Sequence, residues 1–63
     1  MDADSVAKIN QAVDSCLERC AGSPDPYSLL RDLLKELEDS GEFTAVEIAT
    51  IKNAVKRALD SPG

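Results

Sequence analysis

The chain has no histidine and no tryptophan, and Tyr27 and Phe43 are its only aromatic residues. Without histidine it lacks the side chain that most often moves protons near neutral pH and most often supplies nitrogen to a metal. There is no glycine-rich phosphate loop, because Gly22, Gly41 and Gly63 stand far apart. No apolar run approaches the roughly 18 residues that mark a membrane span. Basic residues are scarce, seven Lys and Arg against twelve Asp and Glu. The net charge of −5 works against non-specific adhesion to nucleic acid or anionic membrane, which depends on clustered cations. The opening Met1-Asp2-Ala3-Asp4 is acidic where a secretory leader is basic. Together these absences set the expectation of a soluble, cytoplasmic protein that is not an enzyme, carries no cofactor or metal, and binds neither nucleic acid nor membrane.

What is there is helical period. Sixty-three residues suffice for a single domain, 1–63, burying only about 60% of its unfolded surface. Val6, Ile9, Val13, Cys16 and Cys20 alternate steps of three and four, the spacing of a buried helical stripe. They predict a first helix over about 5–21, with Asp4 or Ser5 as its N-cap. Gly22-Ser23-Pro24-Asp25-Pro26 breaks the chain, and Asp25 before Pro26 reads as an N-cap with proline at the first helical position. A second helix over about 26–39 carries a double-width stripe of Leu29, Leu30, Leu33, Leu34 and Leu37, dense enough to place it at the centre.

The richest local signal lies between Ser40 and Ile48. Gly41 suits the left-handed turn that ends a helix. Thr44 and Glu47 have the spacing of a capping box, and Phe43 with Ile48 that of a hydrophobic staple. A third helix over about 45–60 follows, with Ile48, Ile51, Val55, Ala58 and Leu59 facing inward and Ser61-Pro62-Gly63 ending it. The predicted fold is all-α, a small antiparallel three-helix bundle. Its expected core is Val6, Ile9, Val13, Cys16, Leu30, Leu33, Leu37, Ile48, Ile51 and Val55.

Four constellations bear on chemistry. Cys16 and Cys20 sit one helical turn apart, but no histidine or third cysteine completes a metal site. On an apolar stripe free cysteine acts as a small hydrophobe, and the core role is expected. Glu36, Glu38, Ser40, Gly41, Thr44 and Glu47 have the spacing of a calcium loop, with glycine sixth and glutamate twelfth. This stretch resembles a degenerate EF-hand. A DNA-reading helix-turn-helix would present basic or polar residues at the start of its second helix. Here that start is Ala45-Val46-Glu47-Ile48, with the basic strip Lys52, Lys56 and Arg57 farther along. The acidic residues Glu36, Glu38, Asp39 and Glu42 read as a solvated rim that steers a basic partner.

The Ser23-Pro24-Asp25-Pro26 turn between two helices, over residues 23 to about 34, also resembles the proline-containing hairpin of type III secretion needle subunits. Gly41 interrupts the long C-terminal helix that this resemblance implies.

The function expected from these residues is a small protein–protein interaction module, an adaptor, chaperone-like factor or regulator that offers helical surface to a protein partner. Leu17, Leu29, Leu34, Val46 and Leu59 flank the three stripes, and an apolar surplus of this kind marks an interaction surface. A homodimer is the commonest way to cover one. The alternative is an ion or nucleic-acid binder using the Gly41 corner or the Lys52/Lys56/Arg57 strip.

Overall fold

The computed structural model describes residues 3–61. It contains α1 (Ala3–Ala21), α2 (Pro26–Ser40) and α3 (Ala45–Asp60), with no strand among the described residues. Every helix packs on the other two, giving a three-helix bundle.

Both breaks form as their residues dictate. The Asp25 carboxylate accepts from the Ser28 N–H at 3.3 Å and from the Ser28 hydroxyl at 2.9 Å, ahead of Pro26. At the other end of α2, Gly41 adopts φ 74° and its N–H reaches the Glu38 carbonyl at 3.2 Å. The Ser40 hydroxyl donates to the Leu37 carbonyl at 2.8 Å, taking one more carbonyl that the helix end leaves over, and α2 runs one residue past its expected end. Thr44 Oγ1 accepts from the Glu47 N–H at 3.2 Å, while Glu47 Oε1 accepts from the Thr44 N–H at 2.8 Å. The capping box is complete. The Ser61 N–H bonds to the Arg57 carbonyl and closes α3. Pro62 and Gly63, expected to help end this helix, lie outside the described residues.

The start of α1 differs from expectation. Asp4 and Ser5 are already helical, so neither is the cap. Asp4 instead occupies the first turn, where a carboxylate meets the positive end of the helix dipole.

Ile9, Cys16, Cys20, Leu30, Leu33, Ile51 and Val55 make up the buried core. Val6, expected inside, is 44% exposed. At 3.6 residues per turn it lies roughly 40° beyond the arc occupied by Ile9, Cys16 and Cys20, and valine is too short to reach back. Val13, Leu37 and Ile48 are half-buried, and Ala58 is exposed. Nor is α2 the centre. Ile51 and Val55 of α3 are 0% exposed, whereas the double-width leucine stripe divides between two seams. Leu30 and Leu33 are buried, and Leu29, Leu34 and Leu37 half-buried beside them.

Candidate functional site

The corner between α2 and α3 is the first candidate. Its polar groups are turned on one another. The Glu47 carboxylate serves the cap, and its pKa is held below the ordinary value. The Thr44 N–H is the main cause; burial opposes it as the next largest effect, and the Lys8 charge and the Thr44 and Ser5 hydroxyls add smaller lowering contributions. Ser40 bridges the Leu37 carbonyl and the Glu42 N–H. Glu36 and Glu38, the first and third positions of the calcium-loop reading, lie within α2. Among the described residues no group of three or more Asp, Glu, Cys or His could hold a metal ion. The geometry is that of a capped helix–turn–helix corner. Phe43 packs against the core and beneath Lys8, whose Nζ lies 4.5 Å from the ring centroid, while Ile48 lines a recess on the other side of α2.

Cys16 and Cys20 are both free thiols and both buried. Burial pushes the Cys16 thiol above its ordinary pKa, Cys20 adds to the rise and Arg19 opposes it. Burial alone raises Cys20, whose Sγ sits 3.5 Å from the Pro26 carbonyl. Thiolate, the reactive and metal-binding form, is disfavoured at both.

Among the described residues, two recesses between the helices stand out. One, of about 360 Å³, lies between α1 and α2, with Ala12, Cys16, Leu33 and Phe43 at its base. The larger, of about 720 Å³, is a trough between α2 and α3. Leu30, Leu34 and Ile48 form its floor, and Arg31, Lys35, Lys52 and Lys56 stand along its walls, with Tyr27, Asp32 and Glu38 completing them. Apart from Asp32, the α2 residues recur at steps of three and four, the period that keeps them on one side of the helix, and Ile48, Lys52 and Lys56 are successive turns of α3. Tyr27 spans one end, its hydroxyl donating to Asp60 Oδ1. That bond is the main reason its pKa is raised, with burial and the Asp60 charge acting in the same sense.

The trough gathers four of the chain's seven cations against two carboxylates. Its own balance is therefore +2, and the remainder of the −5 chain carries −7. Lys52 and Lys56 were legible as a basic strip, but Arg57 does not line the trough. Arg31, Lys35 and Tyr27 were not singled out from the sequence. The signal was the matching four-residue spacing of Arg31/Lys35 and Lys52/Lys56 on helices joined by a short corner.

The structure separates the five flanking residues read as an interaction surface. Leu17, Leu29, Leu34 and Leu59 are half-buried and packed against the core, while Val46 is 68% exposed. Of the five, Leu34 alone lines either recess. No helix among the described residues is long and apolar enough to cross a membrane. The chain matches no protein family, no curated protein and no solved structure with which it was compared, so the functional argument rests on its own geometry.

Proposed function

We propose that this chain is a small non-enzymatic protein-interaction module, an adaptor or regulator that offers helical surface to a protein partner. One observation carries the reading: the trough between α2 and α3 combines an apolar floor with a charged rim along several helical turns, the make-up of a recognition surface. Catalysis has little support by comparison. The buried thiols are held protonated, and the carboxylate with the depressed pKa is occupied in a helix cap. Two free cysteines suit a reducing compartment, and we place the module in the cytoplasm.

The test is site-specific cross-linking in the full chain. A photo-activatable residue replaces Asn10, Glu38 or Asn53, one exposed position on each helix, and the protein is irradiated in extract of its native host. A discrete protein adduct from one face and not the others is the expected result. Adducts to nucleic acid alone, or no protein adduct from any face, overturn the reading.

A second copy of the chain is the second reading of the partner. Val6 and Val46, 44% and 68% exposed, lie in the first turns of α1 and α3, helices whose N-terminal ends meet where Lys8 covers Phe43. Sedimentation equilibrium at high micromolar concentration tests it. A species of twice the 6.7 kDa chain mass supports the homodimer, and a single species at the chain mass assigns the surface to a different protein.

A further inference from the structure

We infer that the trough between α2 and α3 receives an acidic amphipathic helix, a segment of about three turns with apolar residues on one face and Asp or Glu beside them. The inference rests on the interaction-module reading and names the chemistry of the partner at that site.

The shape of the trough selects the class of occupant. Its wall residues Tyr27, Arg31, Lys35, Lys52 and Lys56 are all exposed, Leu34 and Ile48 are half-buried, and only Leu30 is closed off from solvent. A site for a small molecule encloses most of its ligand. An open channel with exposed walls cannot, but it can cradle an elongated partner that brings its own outer surface. Lengthwise, Tyr27 to Glu38 on α2 is about 17 Å and Ile48 to Lys56 on α3 about 12 Å at 1.5 Å per residue. A helix of about 12 residues fits that length. Laid between α2 and α3, it turns a three-helix bundle into a four-helix arrangement, and burying one helix face in the groove of two others is a recurrent mode of peptide recognition.

Charge selects the character of the occupant. The cations stand in two rows, Arg31 and Lys35 on one wall and Lys52 and Lys56 on the other, with Leu30, Leu34 and Ile48 between them. A helix with Leu-like residues pointing down and carboxylates on both flanks meets apolar floor and cationic walls at once. Asp32 and Glu38, also on the α2 side, exclude partners whose acidic residues fall at the wrong register. A nucleic acid is the poorer match. Its phosphates would find the four cations, but its bases would face aliphatic side chains, with Tyr27 at one end as the only ring for stacking. The −7 carried by the rest of the chain repels a polyanion charged at every nucleotide more strongly than a short segment with a few carboxylates.

The experiment is a nitrogen-15 NMR titration of the full chain with four probes. The first is a synthetic peptide of helical Leu/Glu/Ala pattern, with leucines at positions i, i+3, i+4 and i+7 and glutamates flanking them. The second is a scramble of the same composition that breaks the apolar face, and the third the lysine-for-glutamate version. The fourth is a DNA oligonucleotide, single-stranded and duplex. Saturable shifts at Leu34, Ile48, Lys52 and Lys56 with the first peptide are expected, much weaker with the scramble and absent with the basic version. Affinity should fall about tenfold in Lys52→Glu/Lys56→Glu, since each reversal turns an attraction into a repulsion, and should decline with added salt. If that variant loses its helical circular dichroism, Arg31→Glu/Lys35→Glu on the opposite wall takes its place. Equal binding of peptide and scramble, no saturable shift in the trough up to millimolar peptide, or preference for the oligonucleotide overturns the inference. The two proposals fail separately. Cross-linked protein from Asn10 or Asn53 but not Glu38 leaves the module reading standing and removes the trough as its site.

Discussion

Lys8 of α1 lies over the ring of Phe43, with Nζ 4.5 Å from the centroid, and the same ammonium donates to the Glu42 carbonyl. One side chain thus ties the beginning of α1 to the corner that joins the other two helices. The pair predicts a measurable coupling. Lys8→Ala should cost about 0.5–1 kcal/mol, the range for a cation over an aromatic face at an exposed site. Phe43→Ala should cost about 2 kcal/mol, less than the 3–5 kcal/mol of a fully enclosed ring, because Phe43 is half-buried. A double-mutant cycle by chemical denaturation checks this. Strict additivity would show that the contact contributes nothing.

The two described glycines should behave oppositely. A methyl group added at Gly41 meets nothing within 4 Å, but the backbone there is at φ 74°. Gly41→Ala therefore costs about 1–2 kcal/mol through conformation alone, and Gly41→Asn less. Gly22 has equal space and no positive φ, so Gly22→Ala should be neutral or stabilising by up to about 1 kcal/mol through loss of unfolded-state freedom. Equal effects at the two sites would be inconsistent with the turn described.

The Thr44–Glu47 cap makes stability depend on pH in the acid range. The folded pKa of Glu47 lies below the ordinary 4.5, so the folded state binds this proton more weakly than the unfolded state does. The contribution of Glu47 is fully present above about pH 5, and it fades as pH falls through 4.5 and then through the depressed folded value. The stability gap between the parent chain and Glu47→Gln should therefore shrink on acidification from pH 7 to pH 3, as followed by urea unfolding. A gap that stays constant would mean that the carboxylate does not serve the cap as an anion. Thr44→Ala should cost about 0.5–2 kcal/mol at neutral pH.

Thiol reactivity reports on the core. Cys16 and Cys20 are 4% and 1% exposed, with pKa values raised by burial. Both should react slowly with a thiol reagent at pH 8 in the folded protein and rapidly in denaturant. Fast labelling of either residue in the native state, at a rate independent of denaturant, would contradict its burial.

The ends of the helices can be read from residue type and spacing because the groups that make them are neighbours in the chain. Asp25 caps a helix that starts with Pro26, Gly41 turns left-handed, and Thr44 and Glu47 satisfy each other's amides. Each of these is decided within about four residues. Periodicity likewise places Ile9, Cys16, Leu30, Leu33, Ile51 and Val55 inside. It does not grade the margins of each stripe, because exposure there depends on how far the neighbouring helix overlaps. Val6 stands on the surface, and Leu17, Leu29, Leu34 and Leu59 are drawn against the core. What only the tertiary structure decided is what separate helices do to one another. Tyr27 meets Asp60 across 33 residues and Lys8 meets Phe43, and two unremarkable pairs of cations face each other across a leucine and isoleucine floor. Sequence spacing sets the face on which a side chain stands, and the packing angle and register of the helices set which faces meet.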